Sequence, residues 1–449
     1  MSEKGLSRRN FLGKAALIGA AGVAGAQLLH SCKSNQPKSD VKLDLPPLLD
    51  KAPDGPVLKA GLIGCGGRGT GAALNFLDAG PNLQITALAD VFDDKVKQCR
   101  EKLKSRRGVE IADEKCFVGF DAYEKLIDSG VDMIIHATPP FFRPQHFDAA
   151  VKARKHVFME KPVSVDPAGT RQIMATAKKA EALGLSVVTG TLFRHANDYI
   201  SVYKQVKQGA IGELVSANSY YNTSAAWYRN PNADWTEMEY MLRDWMNWCW
   251  LSGDHIVEQN VHRIDNVMWF MGKHPVKAVG FGSRQRRKTG DQFDNFSVDF
   301  VFDNNVHYHN MCRQINGTAR NVSDYIVGSN GSTNLANTIW NPDGTVRFEY
   351  EYPKNEKGES MRWPDPNPYV QEHIDWVTSI RKNMAYNTAI ATAESTMAGI
   401  MGRISAYTGK EVTWEEVMNS DLRLGPKHMV FGKVDIPKEV PVPGVAAKS

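Results

Sequence analysis

Cysteine is scarce and unclustered in these 449 residues: there are six, at positions 32, 65, 99, 116, 249 and 312, and no two form Cys-x-x-Cys. With Cys32 set apart near the N-terminus, the odd, widely spaced remainder suggests neither a disulfide framework nor a zinc cluster, and these read as buried thiols. A surplus of positive charge is missing too. The formal charge is only +4, and Lys4, Arg8, Arg9 and Lys14 against Glu3 supply most of it. A nearly neutral body argues against an electrostatic nucleic-acid binder. The soft apolar run Ala15 to Leu29 is interrupted by Gly19, Gly22 and Gly25. It falls short of the roughly 20 apolar residues that a membrane span needs. What is present is an ordinary globular balance, 42% hydrophobic and 23% charged with 10 Trp, 14 Tyr and 18 Phe, which excludes a wholly disordered or fibrous chain. At about 150 residues per domain, the length allows two or three domains.

Residues 7–12 read Ser-Arg-Arg-Asn-Phe-Leu ahead of that apolar run, and together they resemble a twin-arginine export signal. Leu29-His30-Ser31-Cys32 resembles a loose lipobox, in which Cys32 would be lipidated and become the mature N-terminus. The histidine is atypical, so conventional cleavage nearby stays open. Residues 1–32 are therefore expected to be an address. The protein would be exported, and either periplasmic or lipid-anchored to a bacterial membrane through Cys32. Residues 33–56, rich in Pro, Ser, Lys and Asp, read as a linker.

Val57 to Ile63 is a short apolar strand that runs into Gly64-Cys65-Gly66-Gly67-Arg68-Gly69, followed by helical character from Thr70 to Leu77. In such an order Gly64 permits the tight turn, Gly66 admits a pyrophosphate close to the backbone, and Gly69 allows close packing of helix on strand. A second strand, Gln84 to Ala89, ends at Asp90, about 20 residues past the last glycine, where a carboxylate can accept hydrogen bonds from an adenosine ribose. Asp90 favours NAD over NADP, because a 2′-phosphate would meet its charge. Val131 to Ala137 reads as a buried strand broken by Thr138-Pro139-Pro140 before a helix carrying His146, and His156 to Met159 as a strand ending in Glu160-Lys161-Pro162. Polar groups therefore gather at the carboxyl ends of parallel strands, where ligands bind in such sheets.

The glycine fingerprint, the Thr138-Pro139 strand end with His146 beyond it, and Glu160-Lys161-Pro162 together resemble the Gfo/Idh/MocA oxidoreductases, the relatives of glucose-fructose oxidoreductase and inositol dehydrogenase. The resemblance covers essentially residues 57–420. It implies an α/β fold, with an N-terminal Rossmann parallel sheet over residues 57–185 and a C-terminal α/β domain with an open, largely antiparallel sheet over 186–430. Residues 431–449 are left as a C-terminal tail, of which the proline-containing stretch Pro437 to Ser449 is expected to be peripheral. It also implies that Lys161 lies beside the nicotinamide and the reacting hydroxyl, and that Arg68, Thr138, Pro139, His146 and Glu160 help form the cofactor bed.

In the second domain, Ile256 to Met271 reads as one helix in which Glu258, His262, Asp265 and Trp269 share a face. The family carries a His-x-x-Asp pair here, matched by His262-Arg-Ile-Asp265. Glu258 and Asn260 depart from its usual Asp and Gly. Tyr220, Tyr221, Trp227, Tyr228 and Trp235 could stack on sugars or pack a core, and the three tryptophans within Asp244 to Trp250 could wall a pocket. His307 and His309 alternate on an expected strand from Val298 to Cys312, but no third ligand accompanies them, so no metal is expected. Helices are read over Pro368 to Lys382 and Ala391 to Tyr407.

The resemblance implies hydride transfer between a nicotinamide and a carbohydrate carbon bearing a hydroxyl. Lys161 and His262 would share the proton and Asp265 would orient His262. An exported enzyme meets little free NAD, so the cofactor is expected to be retained and recycled within each cycle. Two schemes meet that need: a sugar oxidoreductase, and a redox-neutral NAD-dependent glycosidase that works by transient C3 oxidation and elimination. Lys161 favours the first, since the glycosidase branch commonly lacks that lysine. A non-catalytic sugar-binding lipoprotein is the alternative from another class. The expected partner is a small-molecule carbohydrate, with homo-oligomerisation open.

Overall fold

The computed structural model describes residue 43 and residues 45–445, and the twin-arginine segment and Cys32 lie outside them. Six short strands form a parallel sheet: β1 (Leu58–Ile63), β2 (Leu83–Asp90), β3 (Cys116–Val118), β4 (Met133–His136), β5 (His156–Met159) and β6 (Val187–Thr189). Their order is β3-β2-β1-β4-β5-β6, so the order of winding reverses at the β1–β4 pair and leaves a crevice outside their carboxyl ends. β4 is buried along its whole length because helices cover both faces of the sheet. The sheet continues past the expected boundary at residue 185, since β6 begins at Val187.

A second sheet of nine strands follows: β7 (Leu214–Thr223), β8 (Lys277–Ser283), β9 (Asn295–Val301), β10 (His307–Gln314), β11 (Asn321–Gly328), β12 (Gly331–Thr333), β13 (Thr338–Trp340), β14 (Val346–Glu349) and β15 (Val412–Thr413). Only β7 and β10 pair in parallel. The largely antiparallel second sheet is thus as expected. Tyr308, Asn310 and Cys312 of β10 point into the core against the helices, while His307 and His309 lie on the open face. The expected single strand from Val298 to Cys312 is in fact the β9–β10 hairpin. It turns where Asn305 adopts φ +57°, a left-handed conformation that asparagine tolerates better than most residues. His307 meets Asp299 at 2.8 Å and His309 meets Ser297 at 2.8 Å, and no metal-holding group of side chains exists among the described residues.

Two late helices tie the sheets together. Pro368–Arg381 returns to the first sheet and buries Ile374, Trp376 and Val377 in its core. Ala389–Thr408 places Ala389 and Ala393 against the first sheet and Met397 to Met401 against the second. In the tail Val434 is buried, while from Pro437 on the described residues are mostly exposed, with Val440 packed on the core of the second sheet and the Gly444 N–H donating to Thr408 O at 3.0 Å. The five cysteines among the described residues are free; four are buried, as read from the sequence, and Cys116 is half-buried.

Candidate active site

The helix Gly67–Asp78 starts directly from the glycine turn after β1. Gly64 has φ +96°, and a Cβ there would lie 2.7 Å from the backbone of Ala137; at Gly69 a Cβ would sit 1.8 Å from Gly64 O. Both positions are closed to side chains by neighbouring backbone. At Gly66 and Gly67 a Cβ would meet nothing within 4 Å, because they face open space. No side chain caps this helix and no acidic residue sits in its first turn, so its leading N–H groups are free to hold an anion. This cradle fits the pyrophosphate of a dinucleotide. At the end of β2, Asp90 accepts the Cys65 N–H at 2.7 Å and the Phe92 N–H at 3.0 Å. Burial pushes its carboxyl up and these two bonds oppose the shift. Each oxygen retains acceptor capacity for ribose hydroxyls.

Past β4 and β5 the loops are tied to each other. Buried Arg143 donates to Thr138 O at 2.7 Å and to Glu160 O at 2.8 Å, and burial lowers its pKa to about 10. Thr138 Oγ1 lies 2.8 Å from His136 Nε2, whose other neighbour is His146 Nδ1 at 3.2 Å. The His146 ring stacks on Tyr123 at 4.0 Å, and burial takes its pKa down to about 3, so it stays neutral. Arg68 lines the same cavity, but its guanidinium is committed to Glu160 and, at 3.2 Å, to Glu372, and it lies 4.7 Å over the Tyr369 ring. Glu372 is 304 residues from Arg68, and no local pattern announces the pair.

Lys161 Nζ donates to the backbone carbonyl of Glu258 and lies 3.3 Å from its Oε1. His262 lines the same cavity. Burial first, then the charges of Lys161, Arg263 and Arg68, hold its imidazole well below the usual histidine range, hence neutral. Glu258 and His262 reach Lys161 from different helices, His255–Glu258 and Val261–Met271, because the expected single helix breaks at Gln259 and Asn260. Glu258 Oε2 is buried without a hydrogen-bond partner. The sequence marked Glu258 as a departure and missed its pairing with Lys161. Asp265 does not orient His262. Its carboxylate takes two N–H groups of Arg194, each at 2.9 Å, and the Ser395 hydroxyl at 2.7 Å. From the interior side of its helix it balances a buried guanidinium that would otherwise stand unpaired.

Gly64, Gly66, Gly69, Asp90, Thr138, Pro139, His146, Glu160, Lys161, Glu258 and His262 all line one cavity of about 700 Å³. Tyr221, Trp227 and Trp245 are part of its wall, whereas Tyr220, Tyr228 and Trp235 are not. Trp248 and Trp250 are buried in a neighbouring apolar cluster.

Residues 58–189 match the oxidoreductase family described by its NAD-binding Rossmann fold, and residues 199–334 match the GFO/IDH/MocA C-terminal domain. The chain belongs to the GFO/IDH/MocA oxidoreductase family. Among relatives of this family, the myo-inositol 2-dehydrogenase of Thermotoga maritima is 30% identical over 35% of this chain and 42% of its own length. A glycosyl hydrolase family 109 protein of Solibacter usitatus is 28% identical over 53% of this chain and 51% of its own. The chain spans about half the length of the curated relatives it matches. Levoglucosan dehydrogenase, solved in complex with NADH and levoglucosan, superposes with a TM-score of 0.62 at 18% identity, covering 80% of this chain and 99% of its own, and shares the fold.

Proposed function

We propose that this chain is an exported, nicotinamide-dependent oxidoreductase that acts on a carbohydrate hydroxyl and prefers NAD to NADP. The observation that carries this reading is the convergence of Lys161, Glu258 and His262 in the same cavity as the glycine cradle and Asp90. A nicotinamide bound there supplies a hydride acceptor and donor at its C4. The chain supplies the rest. The free N–H groups after Gly66 hold the pyrophosphate, and Asp90 takes the ribose hydroxyls and repels a 2′-phosphate. Glu258 fixes Lys161 through its carbonyl and carboxylate, so Nζ turns its one remaining position to the cavity. Neutral His262, with a ring nitrogen free to accept, shares the hydroxyl proton with Lys161 as the hydride leaves the same carbon. Asp265 acts on this arrangement only by holding its helix to Arg194 and Ser395.

The export signal read in residues 7–12 supports retention and internal recycling of the cofactor. Two outcomes then compete: oxidation of one sugar coupled to reduction of another, or transient oxidation followed by elimination, water addition and re-reduction. Lys161 favours the first, and the glycosyl hydrolase relative favours the second. The test is single-turnover reduction of bound NAD by inositols, free hexoses and glycosides, followed by absorbance in the nicotinamide band. Lys161→Met and His262→Ala are each expected to slow that step by about 10²–10⁴-fold. If both residues act on one proton, the double variant is little worse than the poorer single one. Near-normal rates in both single variants, with sugar still bound, would remove the assignment. A parent protein that binds neither NAD(H) nor NADP(H) would refute the whole reading.

A further inference from the structure

The cofactor cavity has an outer wall built from segments far from the Rossmann sheet in sequence. Leu242, Arg243 and Trp245, from the helix Glu237–Arg243 and the turn after it, line it beside Phe92 and Phe120. Arg243 closes the seam between the two. Its guanidinium lies 3.0 Å from Asp94, just past Asp90, and 3.9 Å from the centre of the Phe92 ring. The helix is held down in turn by the chain's last segment. Gly432 O accepts the Met238 N–H at 3.0 Å, Glu237 accepts the Val434 N–H at 2.7 Å, and Lys438 pairs with Glu237 at 2.6 Å.

That segment is anchored at its other end on the Rossmann side. Leu424 N–H donates to Asp166 at 2.9 Å, and Gly425 sits so close to Phe141 and Trp250 that a Cβ would come within 2.6 Å of the first and 2.9 Å of the second. Between the anchors, Phe431 lies 5.2 Å from the Phe120 ring and 6.2 Å from the Phe92 ring. Residues 422–438 therefore run as a strap from the helix Pro167–Ala182 across the rim of the cavity to the helix Glu237–Arg243.

We propose that this strap and the Arg243–Asp94 tie enclose the adenosine half of the cofactor, making the dinucleotide a captive group that leaves only when the tie opens. The proposal rests on the reading of this cavity as a nicotinamide-nucleotide site, and it assigns retention to residues that contact the cavity rim, not the reacting atoms. Phe431 is 47% exposed, so Phe431→Ala removes a ring from the rim without hollowing a core. The side chain of Arg243 is 17% exposed, and Arg243→Gln keeps its size while deleting the charge.

The experiment loads the full chain with NADH, removes free nucleotide by gel filtration, and follows release by nicotinamide fluorescence after adding excess NAD. Release from the parent is expected to be slow and to quicken with salt, which screens an ion pair. Phe431→Ala and Arg243→Gln are expected to release NADH at least tenfold faster, and Arg243→Gln should lose the salt dependence. Thermal melting of the unloaded proteins tells loosening from unfolding, and Phe431→Leu is expected to restore slow release. Release at the parent rate from both variants, with melting unchanged, overturns the strap while leaving the cofactor site intact. Failure of the parent to take up either nicotinamide nucleotide overturns instead the reading on which the strap rests.

Discussion

At the scale of single residues, Asp265 is where spacing and structure part. Three positions past His262 on one helix, it was expected to orient that ring; instead both its oxygens serve Arg194, and Ser395 donates to one of them. The side chains are 3% and 16% exposed, so Asp265→Ala leaves a buried guanidinium unpaired. Such a break costs about 3–5 kcal/mol. The expected outcome is a marked fall in melting temperature with the pH dependence of the surviving hydride step unchanged. A shifted pH profile at normal stability would instead return Asp265 to His262. Residues whose role is steric were easier to read. Gly64 and Gly69 are fixed by backbone approach that any side chain would violate, and that requirement shows in sequence as glycine. Glu372, which meets Arg68 across the fold, carries no such local mark.

Elements follow the same division. β1, the glycine turn and β2 were legible because a buried parallel strand reads as an apolar run and the turn demands glycine. The break at Gln259 and Asn260 was not, since the apolar spacing continues across it, and the β9–β10 turn was hidden by polar residues that also suit an exposed strand face. The loop between β8 and β9 shows what such turns can bury. Asp291 accepts the Cys249 N–H at 2.7 Å, and burial first, with the Asp254 charge adding, pushes its pKa up to about 7. A carboxyl raised in the folded state contributes stability fully below its ordinary pKa of about 3.9 and loses it as pH rises through about 7, a loss of up to about 4 kcal/mol. Asp291→Asn keeps the acceptor and cannot ionise. Its melting temperature is therefore expected to exceed the parent's by a margin that grows from pH 4.5 to pH 8. His146, held neutral, acts the other way, losing stability as pH falls below about 6.5, but it cancels in the comparison of variant with parent. A margin that stays constant with pH would show that Asp291 is ionised throughout.

For the whole molecule, a cut at residue 185 suggests two bodies in series, each with its own core and its own unfolding transition. The packing argues otherwise. The first sheet is completed by Trp376, fully buried against Phe76 and Phe158, with centroid distances of 5.9 and 6.0 Å. Without the helix Pro368–Arg381, the part of that face over β5 and β6 would lose its cover, the helices Gly67–Asp78 and Asp93–Arg107 covering the rest. The helix Ala389–Thr408 then serves both cores at once, and its Thr392 hydroxyl bonds to Thr189 of β6 at 2.6 Å. Neither sheet can lose its cover without stripping this shared helix from the other, so the two cores are coupled through it. Urea unfolding of the chain is therefore expected to give one transition, with the same midpoint by tryptophan fluorescence and by far-ultraviolet circular dichroism. A fragment of residues 57–190 is expected to lack a cooperative transition, because it has strands β1 to β6 and the helices between them but not Trp376 or Ala393. Adding a peptide of residues 366–382 should recover part of the transition. Two separated midpoints in the whole chain, or a cooperative fold in the fragment alone, would mean that the shared helices decorate two independent domains rather than join them.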